Sequence, residues 1–329
     1  MIAGAELSAW LSDSAAIGRS VSKARHYGSQ WAEQPVLRDL KLEIEKLSAP
    51  TAASVQAAAE RFLARRDELV ELVSDVIYVA KADPFFLPPF IASASDIHES
   101  LLLFENPSLS VGLGVTSLEG LASKKSVRRG PASIGFTGVR NILHLLKSGG
   151  ATLSFWTAPE AEAGFRAQDA GKCSLLERRR IQDDETVIVA RNESFVIEHV
   201  ESDAVYLQLL IKADASPLAV EYDAVSHEYV GASSTDDASS RIQMMVSLLR
   251  LMGRNDAVPL IKETMKSPHF YTRWHIMREL LAMDAEAALP ELRAMAASDP
   301  HPDVRAAARQ TLEAFFNDHA GEEATSCPA

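Results

Sequence analysis

Cysteine is almost missing from this chain. Only Cys173 and Cys327 occur in 329 residues. They lie far apart and in no metal-ligand spacing, so a disulfide scaffold and a cysteine zinc site are excluded, and a reducing cytoplasm is the expected compartment. Positive charge is scarce as well: 33 Lys and Arg face 45 Asp and Glu, a formal charge of −12. That balance argues against a general nucleic-acid binder or an anionic-membrane binder, because phosphate binding needs positive surface. Long apolar runs are lacking. The longest uncharged one, Pro84 to Ser95, holds three prolines and is too short to span a bilayer. The first residues, MIAGAELSAWLSDS, have no basic stretch and carry Glu6, so no secretory signal is expected. What is present is a hydrophobic fraction of 47%, enough for real cores. At roughly 100–200 residues per domain, the length suggests two or three domains.

Periodicity divides the chain. Residues 1–83 read as helix. The clearest one starts at Thr51, an N-cap after Pro50, and carries Val55, Ala59, Phe62, Leu69, Val73, Val76 and Ala80 on one stripe until Asp83-Pro84 ends it. A second is predicted from Val36 to Leu47, with Leu37, Leu40, Ile44 and Leu47 on one face. Trp10 and Trp31 are expected to anchor the earlier segments.

From Ser100 to Tyr222 the pattern changes to short β-branched and aromatic runs broken by Gly, Pro and Asn. Strands are predicted at 100–104, 109–115, 133–136, 139–146, 152–156, 174–178, 186–189, 195–199, 204–211 and 218–222. Many short strands with turns between them suggest a sandwich or barrel. The partial alternation of Val205 to Ile211 fits a strand buried on both faces.

Within this stretch, Gly138 followed by His144, and the run Asp184-Glu185-Thr186-Val187-Ile188-Val189 continuing through Ala190-Arg191-Asn192-Glu193-Ser194 to Phe195-Val196-Ile197, resemble the two motif regions of cupins, small jelly-roll barrels. The resemblance implies an antiparallel β jelly roll over 84–235. It also implies where a metal would sit, and the residues there are wrong. Leu146 stands in place of a second histidine, Ser148, Gly149 and Gly150 in place of a glutamate, and Phe195 in place of the second-motif histidine. A divalent metal needs three or four converging N or O ligands. Only His144, with His199 if the register slips, is left for a metal reading. Glu198 and His199 are adjacent and so face opposite sides of a strand.

The last part, 236–317, returns to helix and repeats itself. Arg241, Arg273 and Arg305 are 32 residues apart, as are Leu248, Leu280 and Leu312. His269 and His301, and Pro268 and Pro300, share that step, and Ala257–Ile261 is answered by Ala288–Leu292 at a step of 31. Such a period marks an α-solenoid. The stretch Asp299-Pro300-His301-Pro302-Asp303-Val304-Arg305 resembles HEAT repeats, with Ser267 to Trp274 a looser copy. About two and a half repeats are present. The recurring arginines are expected to be structural, satisfying turn carbonyls or an acidic residue such as Asp299 or Asp303. The unrepeated Tyr271, Trp274 and His275 are the candidates for protein recognition. The tail 318–329 reads as disordered.

Other motifs fail. Gly112-Leu113-Gly114 opens like a dinucleotide fingerprint, but Ser117 replaces the third glycine. Lys124 to Arg129 reads as a solvated basic loop and Glu177 to Arg180 as a solvated strand end. The sequence therefore predicts an α+β multidomain chain with N-terminal helices, a cupin-like antiparallel jelly roll or barrel, and HEAT-like repeats. The functional reading is a non-catalytic cytoplasmic interaction or regulatory protein with no cofactor. It would bind a protein partner through the repeats, with room for a small-molecule ligand in the barrel, and would engage neither nucleic acid nor membrane. The alternative is a degenerate cupin metalloenzyme, of oxygenase or isomerase type, acting on a small organic substrate. Neither fold decides between them.

Overall fold

The computed structural model describes residues 4–83, 85–95, 97–127, 132–162, 164–267 and 269–316. Two compact units divide the chain: Met1–Ala158 with Cys173–Ala215, and Pro159–Lys172 with Ser216–Ala329.

The first unit opens with α1 (Gly4–Ser12), α2 (Ser14–Ala32), α3 (Pro35–Glu45), α4 (Ala52–Leu63) and α5 (Arg66–Ala82). Local chemistry sets their starts. Asp13 accepts the Ala15 and Ala16 N–H groups ahead of α2, and Pro35 occupies the first turn of α3, where its missing N–H costs nothing. Thr51 and Ser54 exchange side-chain and backbone hydrogen bonds at α4, closing a capping box. The single helix expected from Thr51 to Asp83 is in fact two. The chain turns at Ala64 and Arg65, where the Arg65 guanidinium reaches Asp39 at 2.8 Å and Glu68 at 2.7 Å. Both sides of the turn keep their apolar stripe buried, with Val55, Ala59 and Phe62 before it and Leu69, Val73 and Val76 after it. A stripe of threes, fours and sevens runs through such a corner without showing it. Ala80 lies exposed, and Pro84 falls outside the described residues.

These helices cover one face of a six-stranded antiparallel sheet. Its strands are β1 (Ile91–Ala94), β2 (His98–Glu105), β3 (Leu109–Thr116), β5 (Arg140–Lys147), β8 (Glu185–Val189) and β10 (Ala204–Ile211), in the order β1-β2-β3-β10-β5-β8. Leu109, Val111, Ile142, Leu207, Leu209 and Ile211 join Trp31, Leu37, Leu40, Phe62 and Leu69 in one core. Trp31 donates its indole N–H to the Leu103 carbonyl at 3.1 Å, and Trp10 stacks on Phe85. The opposite face of the sheet meets a three-stranded sheet of β7 (Ser174–Arg180), β6 (Thr152–Thr157) and β9 (Glu193–His199). Leu143, Leu145, Val187, Val189 and Tyr206 pack there against Leu153, Phe155, Phe195 and Ile197. The double antiparallel sheet is the jelly-roll architecture that the cupin resemblance implies. β10 lies at its centre, buried on both faces, as its broken alternation requires.

Three elements went unanticipated. All four residues of β1 are exposed, so it shows no alternation. β12 (Tyr229–Ser234) is built largely of small residues, and α6 (Leu118–Val127) has no apolar stripe. The basic stretch expected to be a loop is helical from Lys124 to Val127, while Arg128 and Arg129 fall outside the described residues. Gly149, at φ +58°, turns β5 into β6, and a Cβ there would stand 2.3 Å from the Ser202 carbonyl oxygen, so only glycine fits. β4 (Ser133–Phe136) completes the strands of this unit.

The second unit pairs β11 (Leu218–Asp223) with β12 as a hairpin. Then come α7 (Asp237–Leu251), α8 (Val258–Thr264), α9 (Phe270–Met283), α10 (Ala285–Ser298) and α11 (Pro302–Phe316). Asp236 caps α7 through the Ser239 N–H, and Asp284 caps α10 through that of Ala287. Val246, Ile261, Ile276, Met277, Leu280, Leu292 and Ala308 form its core. The equivalence of the three leucines does not extend to burial: Leu280 is fully buried, Leu312 half-buried and Leu248 exposed. Pro268 and the tail 318–329 lie outside the described residues. Among the described residues no helix is long and apolar enough to cross a membrane.

Candidate functional site

Strand alternation sends His98, Thr116 and Tyr206, on β2, β3 and β10, to the inter-sheet side of the six-stranded sheet, where they register as neighbours. Tyr206 Oη lies 2.7 Å from His98 Nδ1 and 3.3 Å from Thr116 Oγ1. The rings of His98 and Tyr206 stack because Gly114 stands between them. A Cβ there would come 2.6 Å from the Tyr206 ring and 3.0 Å from that of His98. The trio opens onto a cavity of about 610 Å³ whose far wall is Phe195, Ile197 and Glu198. Burial lowers the pKa of His98 and raises that of Tyr206. At neutral pH both are uncharged, so the trio offers neutral hydrogen-bonding groups, and the charge in the wall is the Glu198 carboxylate, which Arg178 holds at 2.8 Å. Sequence reasoning missed this trio. Its members span 98 to 206 on three strands, and only the pairing register assembles them.

The residues left for a metal reading do not come together. His144 is buried, but on β5 it shares a face with Ile142, the face covered by the helices rather than the inter-sheet side. Its Nδ1 lies 2.9 Å from Thr186 Oγ1 and its Nε2 3.2 Å from Asp184 Oδ1, which Arg66 also holds through the second oxygen. Burial first, then the Arg66 charge, lowers its pKa against the opposing pull of Asp184. His199 ends β9, exposed, in the other sheet. Among the described residues no three His, Cys, Asp or Glu side chains are placed to hold one ion. The donor set therefore does not fit a cupin metal. The arginines of β7 are spent as well: Arg178 binds Glu198, Arg179 binds Glu177 and Glu185, and Arg180 binds Glu201.

In the second unit the recurring arginines make a recurring contact. Arg273 Nη1 donates to the carbonyl of Ser267 at 3.0 Å, and Arg305 Nη1 to that of Asp299 at 2.6 Å, in each case six residues back. Arg273 also grips Asp299 with two parallel bonds, of 2.8 and 2.7 Å, and both side chains are buried. Burial pushes the Asp299 carboxyl up, but the Arg273 hydrogen bonds and charge and the His301 N–H outweigh it and hold its pKa below the usual value. Arg241 is exposed and makes no hydrogen bond or ion pair among the described residues. Its counterpart of Asp299, one repeat earlier, is Ser267, which carries no charge.

Tyr271, Trp274 and His275 line one cavity of about 440 Å³, together with Phe165, Tyr229 and Arg278. α9 carries the first three on one side, each of them half-buried. Tyr271 Oη donates to the Pro217 carbonyl at 3.3 Å and accepts from Ser234, and His275 Nε2 lies 3.0 Å from Ser247 Oγ. Trp274 is half-buried against the repeat core. Phe165 and Tyr229 come from the chain before the repeats, and nothing in the repeat pattern pointed to them.

Several solved structures resemble part of the chain. The capsular polysaccharide assembling protein CapF from Staphylococcus aureus matches at TM-score 0.25 and 11% identity, over 44% of this chain and 34% of that one. KdgF from a Halomonas species matches at 0.23 and 10%, over 37% of this chain and 86% of that one. EutQ from Clostridium difficile matches at 0.21 and 12%, over 36% and 64%. The chain spans about a third of the length of the CapF structures it matches. No curated protein matches it. The family model for HEAT repeats matches residues 232–313, the stretch in which the 32-residue step recurs and Arg273 and Arg305 repeat their contact, so this part of the chain is HEAT-like.

Proposed function

We propose that the chain is a non-catalytic interaction protein of the cytoplasm. Its HEAT repeats hold a protein partner, and its β-domain cavity takes a small organic ligand by hydrogen bonding in apolar walls, without a metal. Regions 1–83, 84–235 and 236–317 serve as support, ligand domain and partner domain. The observation that carries this reading is the convergence of Tyr271, Trp274 and His275 on one aromatic-walled cavity, while the repeated Arg273 and Arg305 are spent on the turns. Aromatic anchors in pockets dominate binding energy in interfaces. Repeat arrays bind through such surfaces.

The test separates the two residue sets. Affinity capture with wild-type chain, His275→Ala and Arg305→Ala should retain the same partner on wild type and Arg305→Ala and lose it on His275→Ala. Thermal melting should show the opposite ranking. If Arg305→Ala keeps its stability and loses the partner, the roles are reversed and the reading is wrong.

A further inference from the structure

Tyr271, Trp274, His275 and Arg278 follow one another along α9 at steps of three and four, which puts them on one face of the helix, and all four line the aromatic-walled cavity. Arg278 brings a charge to that face. It is exposed, and among the described residues it makes no hydrogen bond or ion pair. The acidic group in the same wall is already taken, since Asp303 Oδ1 accepts from Arg166 Nε at 3.2 Å. His275 is held by Ser247 Oγ at 3.0 Å, with Glu279 at 3.7 Å. Arg278 is therefore the uncommitted charge among the described lining residues. It stands beside apolar walls supplied by Phe165, Tyr229 and Trp274. A guanidinium takes a carboxylate through paired hydrogen bonds. The chemistry that fits the cavity is a bulky apolar group with a carboxylate next to it.

A second wall is β12, whose Ala232, Ser233 and Ser234 all line the cavity. Consecutive residues of a strand point to opposite faces. A cavity that touches all three runs along the edge of the strand, not over one face. β12 pairs with β11 on one side. Beyond that pairing, the described residues add only the bridge from Lys172 to Glu228, which stops one residue before β12 begins. No residue of β12 is charged and none is proline, the devices that usually guard a free edge. Gly231 has open space where a Cβ would stand. An edge of this kind accepts an extended peptide as one more strand, with the backbone giving affinity and a side-chain pocket giving specificity.

We propose that the segment recognised here is an extended peptide that adds to the edge of β12, seats a bulky apolar side chain among Phe165, Tyr229 and Trp274, and offers a neighbouring Asp or Glu to Arg278. This rests on the reading of the cavity as the partner site and names the chemistry of the partner.

An octapeptide library with a fixed central Phe and randomised flanks, panned on the immobilised full chain, tests it. The wild type should enrich Asp or Glu beside the Phe. Arg278→Glu should turn that preference to Lys or Arg, and it should weaken the peptide selected on wild type about tenfold by fluorescence anisotropy. Its thermal melt should match the wild type, because the side chain it replaces is exposed and holds nothing. In the complex, hydrogen exchange of the 230–234 amides should slow. A wild type that retains no peptide or selects no acidic residue overturns the proposal, as does an Arg278→Glu chain that keeps the acidic preference. Binding that leaves the 230–234 amides unprotected overturns strand addition. If His275→Ala still loses the captured partner in those cases, the cavity remains the partner site and only its assigned chemistry fails.

Discussion

The Arg273–Asp299 pair makes the sharpest stability test. Asp299→Ala removes two carboxylate acceptors from a buried guanidinium, and the His301 N–H loses its acceptor as well. Breaking one side of a buried ion pair costs about 3–5 kcal/mol, because the other charge stays desolvated and unpaired. For a unit of this size that corresponds to a fall in Tm of roughly 10–20 °C. Differential scanning calorimetry reads it as a shift of one of the chain's transitions. The double replacement Arg273→Met with Asp299→Leu removes both charges, and it should cost less than either single change. The pair also sets a pH dependence. A carboxyl whose pKa is lowered by folding contributes stability above its unfolded pKa and loses it as pH falls through the folded value. Wild type should therefore weaken below about pH 4, and Asp299→Ala should be flatter there. A single variant within about 1 kcal/mol of wild type, or a double no better than the worse single, would refute the claim that this contact locks one repeat turn to the next.

Three further outcomes follow from the same geometry. Gly114→Ala pushes a methyl into the Tyr206 and His98 rings. It should destabilise by about 1–3 kcal/mol and move the His98 pKa up toward its ordinary value in an NMR titration. His144→Ala deletes the bond to Thr186 and should cost about 1–3 kcal/mol at neutral pH. Because folding lowers the His144 pKa, its contribution is present above the unfolded value and fades as pH falls below about 6.5, so the gap between wild type and variant should narrow by pH 5. Trp274→Ala strips a half-buried ring from the repeat core and should cost about 2–4 kcal/mol by denaturant unfolding. A loss below 1 kcal/mol, about the size of a surface change, would mean the ring serves recognition alone.

What could be read before the fold was known followed from local rules. Ten strands stood out because short β-branched runs between turn residues have little alternative. The 32-residue step announced the repeats because a stacked unit must offer the same contacts at each level. The break at Ala64-Arg65 escaped because an apolar stripe reports which face is buried and not whether the axis bends, and the Arg65 bonds to Asp39 and Glu68 span a distance in sequence and a turn that the stripe does not show. The roles of the repeated residues also outran the pattern. Arg241, Arg273 and Arg305 look alike in the sequence, yet among the described residues the first grips no acidic group, whereas Arg273 grips Asp299.

The sequence alone determined most of the helical and extended segments, since those depend on neighbours within a few residues, while β1, β12 and α6 escaped it. It also showed that the positions which the cupin resemblance marks for metal ligands hold Leu146, Ser148, Gly149, Gly150 and Phe195. Only tertiary structure decided which face each strand turns inward. A shift of one residue exchanges the two faces, so His144 met the helices and His98 the cavity for reasons of register set by strands far away in the chain. Only tertiary structure, too, set Phe165 and Tyr229 beside Trp274 and left the edge of β12 open, because a strand carries its pattern in its own residues but finds its neighbour in another element.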